Sequence, residues 1–198
     1  LAASVFPERI SHLVLLDALG PFPVAAEQLP NRMQNSVCEM KRRLKRKLSC
    51  YKTYDAAINA RLQSEFGQLM RPTAERLATR GLSKLPQGYH WHGDGKLWAP
   101  SMAALTEAQV SACIDSVSAK VLLVLATAGL KDKCKINVGE EEFTKLLSDS
   151  QINTDYAVQF RQLLNKGAVC KEFDDGHYLH MESSAEAIAV EVQNFLFS

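Results

Sequence analysis

The run Val121-Leu122-Leu123-Val124-Leu125-Ala126 constrains this chain more than any other segment. It is too short for an amphipathic helix and apolar at every position, so it reads as a strand covered on both faces. Such strands belong to parallel sheets, whose neighbours are joined by crossover connections, usually helical. Two more segments fit the same sheet. Ser11-His12-Leu13-Val14-Leu15-Leu16-Asp17 follows Pro7, itself preceded by a small apolar patch, Leu1 to Phe6, that reads as the tail of a helix. Val169 to Phe173 precedes a glycine turn and an Ala/Val-rich helical pattern that ends at Phe195-Leu196-Phe197.

The fold class that follows is α/β, with a parallel sheet and flanking helices. The connection between the first two strands is about a hundred residues, whereas a simple crossover needs roughly a dozen. It must therefore form a helical subdomain. The expected organisation is core over 1–22, a helical cap over 23–117 and core again over 118–198. Within the cap the periodicity is helical throughout, with no convincing strand. One of its helices, Thr73 to Arg80, is introduced by Pro72 and stopped by Gly81. Pro86 to Trp98 reads as a loop rich in glycine and aromatic residues.

Composition removes several functions. A net charge of +1 gives no field that would draw the chain onto nucleic acid. The one dense basic run, Lys41 to Lys47, lacks the stacking aromatics of a nucleic-acid surface and reads as a solvated helix face. Cys38, Cys50, Cys113, Cys134 and Cys170 are scattered and form no C-x-x-C pair, which argues against a zinc site or a disulfide framework and favours a reducing, cytoplasmic-type compartment. No apolar run approaches the roughly 18 residues of a membrane span. The first residue is leucine, and the chain reads as part of something that begins earlier.

The chemistry concentrates near the third strand, in Asp174-Asp175-Gly176-His177-Tyr178-Leu179-His180-Met181-Glu182. A glycine turn followed at once by histidine on the loop leaving a strand can hold an imidazole as a base over the carboxyl edge of a sheet. The alternative is that His177 merely caps the helix starting near Ser183. Asp17, at the exit of the first strand, is either a turn former or a functional carboxylate at that same edge. In the 86–98 loop, Tyr89, Trp91 and Trp98 suit the lining of an apolar pocket for a small-molecule substrate. His90, His92 and Asp94 alternate there as well, but that spacing in a loop is a weak metal signature, so no metal is expected.

Phe6-Pro7-Glu8-Arg9-Ile10 running into Leu13 to Pro21, together with Gly176-His177-Tyr178-Leu179-His180-Met181-Glu182, resembles the segments around strands six and eight of α/β-hydrolase-fold proteins. Arg80-Gly81-Leu82, Trp91-x-x-Asp94-x-x-Leu97, Pro100-Ser101 and Leu105-Thr106-Glu107-x-Gln109-Val110 resemble the cap of the serine-hydrolase-like and mesoderm-specific-transcript branch. The resemblance implies the C-terminal portion of such a fold, strands six to eight with an inserted helical cap, and no cofactor. It implies hydrolysis of a small ester, amide or related substrate through a nucleophile, a histidine and an acid. His177 matches the histidine. The acid is Asp17, at the end of strand six, or Asp132; Gly129 stands where the family usually carries it. No Gly-x-Ser-x-Gly nucleophile turn occurs in the 198 residues. The isolated chain is therefore expected to be inactive, and to self-associate through the uncovered edge of its first strand. The competing reading is a degenerate, non-catalytic binding protein of the same fold.

Overall fold

A computed structural model describes residues 1–45, 49–63, 69–93, 101–102, 104–129 and 154–198. They divide into two compact units, Leu1–Val24 with Leu105–Ser198, and Ala25–Ala104.

The first unit is built on a parallel sheet of three strands in the order β1-β4-β5. These are β1 (His12–Leu16), β4 (Lys120–Ala128) and β5 (Val169–Gly176). β4 lies in the middle, with Leu16 opposite Val124 on one side and Leu125 opposite Glu172 on the other. Its alternation explains why the sequence has no polar face there. Val121, Leu123 and Leu125 point into one core, beside Val110 and Ile114 of α5 (Glu107–Asp115) and Phe160 and Leu163 of α6 (Thr154–Asn165). Leu122, Val124 and Ala126 point into the other, beside Leu179 and Ile188 and Phe195 of α7 (Ala185–Leu196). Helices thus cover both faces, as a strand apolar at every position demands. Short α1 (Ala2–Val5) contributes Ala3 to the first core.

β1 is an edge strand of the described sheet. α5 opens on a capping box: the Gln109 N–H donates to the Thr106 hydroxyl while the Gln109 side chain accepts from the Thr106 N–H. Residues 105–117, read from sequence as part of the cap, belong to the first unit because α5 buries Val110 and Ile114 in its core.

The second unit holds α2 (Leu29–Lys45), α3 (Tyr54–Leu62), α4 (Arg71–Gly81) and a hairpin of β2 (Leu82–Leu85) and β3 (Gly88–Trp91). Ile58, Ala74 and Ala78 form its small core, with Leu62, Leu82 and Trp91 packed against them. The hairpin corrects two expectations, that this region has no strand and that 86–98 is wholly loop. Its two-residue connection is Pro86-Gln87, which carries none of the Asn-Gly or Asp-Gly chemistry that announces a tight hairpin. The pairing is instead fixed by Tyr51, which exchanges two 2.7 Å backbone hydrogen bonds with Tyr89 and runs so close to Gly88 that no side chain fits there.

No helix among the described residues is long and apolar enough to cross a membrane. Because Leu123 is fully buried in the central strand, Leu123→Ala should lower the unfolding free energy by about 2–5 kcal/mol. Chemical denaturation of the natural protein, comparing midpoints at equal slope, measures this directly.

Candidate functional site

The carboxyl end of the sheet brings together two side chains 160 positions apart. Asp17 and His177 leave β1 and β5, which flank β4, and His177 Nδ1 lies 2.6 Å from Asp17 Oδ2 across the end of the central strand. An ionised carboxylate only accepts, so Nδ1 carries the proton and donates it. In the neutral imidazole the other ring nitrogen, Nε2, is then an acceptor. The exposures are unequal: the Asp17 side chain is 0% exposed and that of His177 31%. A buried acid thus orients a half-buried imidazole.

Local structure explains why Asp17 faces inward. Its N–H still pairs with Val124 O at 2.7 Å, continuing the β1–β4 ladder by one residue. The backbone then turns into the left-handed region, φ 44°, the only non-glycine residue among those described with a positive φ. Aspartate tolerates that conformation better than most residues, and it puts the side chain where the ladder would have continued. Asp17 Oδ1 accepts the Ala126 N–H at 3.1 Å, as the next backbone carbonyl would have done. The carboxylate is held by the sheet on one oxygen and by His177 on the other.

The His177 loop is anchored separately. Asp174 accepts from the Thr127 hydroxyl at 3.0 Å, tying the end of β5 to β4. Asp175 Oδ1 accepts the Gly176 N–H at 2.8 Å, and its Oδ2 accepts the Ser183 hydroxyl at 2.9 Å and the Ser184 N–H at 3.0 Å. It therefore closes the loop 176–184 onto the start of α7. Partial burial opposes the charge on Asp175, but the donated hydrogen bonds together outweigh it and hold the carboxyl below its ordinary range. Sequence reasoning passed over this residue. Its signal was the Asp-Gly turn followed by Ser183-Ser184 ahead of a helix, where Asp175 makes cap-like contacts.

The remaining sequence candidates lie elsewhere. Asp132, Trp98 and Asp94 fall outside the described residues. Tyr89 and Trp91 belong to the second unit. Trp91 Nε1 donates to Ala57 O at 3.1 Å, and its ring lies over Gly81. The Tyr89 ring makes an edge contact with Tyr54 at 6.0 Å and receives Lys84 at 5.9 Å. His92 Nε2 lies 2.6 Å from the Ser83 hydroxyl and the His90 and His92 rings are 5.8 Å apart. Among the described residues no three His, Cys, Asp or Glu side chains converge as a metal site would require.

Comparisons place this architecture among known folds. No protein-family model and no curated protein matches the sequence. Solved structures do. A hypothetical protein of Pseudomonas aeruginosa matches at a TM-score of 0.77 and 28% identity, over 99% of this chain and 62% of that one. The thioesterase domain from the curacin biosynthetic pathway matches at 0.63 and 19%, over 95% and 59%. An E-2-(acetamidomethylene)succinate hydrolase matches at 0.60 and 15%, over 100% and 61%. The chain spans about three-fifths of the length of each.

The Asp175 network predicts a pH dependence. A carboxyl whose folded pKa is depressed stabilises the fold above its unfolded value, here 3.8, and loses that contribution as pH falls towards the folded value. Asp175→Asn should therefore be less stable than the parent by about 1 kcal/mol near neutrality. The two melting curves should converge as pH falls below 3.8; a constant gap down to pH 2 would contradict this. The architecture itself, a parallel sheet with helices on both faces, is that of the α/β-hydrolase-like structures the chain resembles.

Proposed function

We propose that the chain is the C-terminal portion of an α/β-fold serine hydrolase acting on a small ester, amide or related substrate, with its nucleophile contributed by sequence outside these 198 residues. The observation that carries the proposal is the bond from His177 Nδ1–H to the buried Asp17 carboxylate at the carboxyl edge of a parallel sheet. This arrangement does what a hydrolytic base requires. Asp17 selects the tautomer that leaves Nε2 free of a proton, and its negative charge stabilises the imidazolium formed when Nε2 takes the proton of an attacking hydroxyl. His177 then returns that proton to the leaving group.

Asp17 is the preferred acid because its carboxylate already meets His177. On this reading the second unit, Ala25–Ala104, is the cap. The low-identity thioesterase and hydrolase neighbours support the chemistry as an analogy of fold. A second reading, a non-catalytic binding protein of this fold, is motivated by Gly129, which stands where the family usually carries its acid.

The two readings separate on the natural full-length protein. A fluorophosphonate probe should label one serine, and His177→Ala should slow labelling and ester turnover roughly 10²- to 10⁴-fold without changing the melting midpoint greatly. No labelling of any serine would sink the hydrolase reading. We also propose that the outer edge of β1 takes up a further strand, so the 198-residue chain alone should sediment as more than a monomer; a sharply melting, strictly monomeric species would count against it.

A further inference from the structure

Gly129 follows β4 and closes its end, with its N–H 3.3 Å from Ala126 O. A β-carbon built on it would stand 2.7 Å from Asp17 Oδ1, closer still to Oδ2, and 2.7 Å from the Ala126 β-carbon. Its φ is not in the left-handed region, so a side chain is excluded here by space and not by backbone conformation. What fills that space is the carboxylate of Asp17, which is 1% exposed and receives the Ala126 N–H and His177.

We infer that Gly129 is a positioning residue for the Asp17–His177 pair: the missing side chain after β4 is the seat in which the acid that leaves β1 is held against the imidazole. The inference rests on the reading of Asp17 as the partner acid of His177. The geometry makes the two positions mutually exclusive. A β-carbon on residue 129 lies from Oδ2 at about the distance that separates an aspartate β-carbon from its own carboxylate oxygens. A carboxylate rooted at 129 and one rooted at 17 would therefore compete for one place beside Nδ1, and any side chain at 129 must push Asp17 off it. Asp17 cannot retreat easily, because Oδ1 is bound to the backbone of the central strand and its own backbone is committed to the ladder and the turn.

The alternative is purely structural: Gly129 is required only because a β-carbon would strike Ala126. A double-mutant cycle with a spectroscopic readout separates the two. In the natural full-length protein the Nδ1–H of His177, short-bonded to a buried carboxylate, should give a downfield imidazole proton resonance that disappears in Asp17→Asn. Gly129→Ala should abolish or move that resonance and lower the melting midpoint by about 5 °C or more. In the Asp17→Gly background, where glycine suits the left-handed backbone and the carboxylate is gone, adding Gly129→Ala should cost clearly less.

Should Gly129→Ala fail to fold, folding of the Asp17→Gly/Gly129→Ala protein supports the inference and failure of both overturns it. An unmoved resonance in Gly129→Ala, or an equal loss of stability in both backgrounds, would assign the glycine to Ala126 alone and overturn it too. Absence of the resonance from the parent, or its survival in Asp17→Asn, would remove the pair itself and the inference with it. Failure of fluorophosphonate labelling with these spectra intact would instead fall on the hydrolase reading only.

Discussion

The bond between His177 and the buried carboxylate of Asp17 depends on nearly everything else in the first unit. A carboxylate at 1% exposure is tolerated only where its charge is met by donors. Two donors come from fixed structure: the Ala126 N–H of the central strand and the imidazole that the His177 loop delivers. Both require the strand order β1-β4-β5, which puts the ends of β1 and β5 on opposite sides of β4 so that their side chains meet above it. An order that took β1 away from β4 would leave the acid buried without the Ala126 N–H.

That strand order in turn rests on packing. β4 is covered on both faces by separate apolar clusters, and the flanking strands align to it in parallel register. The site therefore sits at the end of the strand that is packed on both faces. Its other component is the loop 176–184, where Asp175 accepts the Gly176 N–H within the turn after β5 and ties that turn to the start of α7 through the Ser183 hydroxyl and the Ser184 N–H. Two acidic residues thus have separate roles, Asp17 orienting the imidazole and Asp175 holding the loop that carries it.

Much of this was legible in the sequence, and physical reasons separate what was from what was not. The three strands could be read because each is a short run bounded by turn residues, and the central one has no polar face. Asp17 and His177 could be named individually because each sits at a strand exit, where parallel sheets gather their functional groups. The choice between Asp17 and Asp132 stayed open because it turns on which carboxylate reaches Nδ1, and a distance across 160 positions has no local signature. The space beside Gly129 is hidden for the same reason: it exists only between two loops brought together by the sheet. The β2–β3 hairpin was missed because its stability comes from Tyr51 and from Trp91 packing on Gly81 and Ala57, while its own Pro86-Gln87 connection and short strands give no alternating pattern.

The most direct measurement is a long-range proton–nitrogen correlation spectrum of the imidazoles in the natural full-length protein, with His177 assigned by substitution. At a pH where the ring is neutral, the bond to Asp17 predicts the proton on Nδ1 and an unprotonated Nε2, the tautomer that can accept a proton from an attacking group. Finding that signature for His177, and losing it in Asp17→Asn, would support the acid–base pair. A His177 that holds its proton on Nε2, or that shows the mixed signature of a freely exchanging ring, would contradict the pair and the function built upon it.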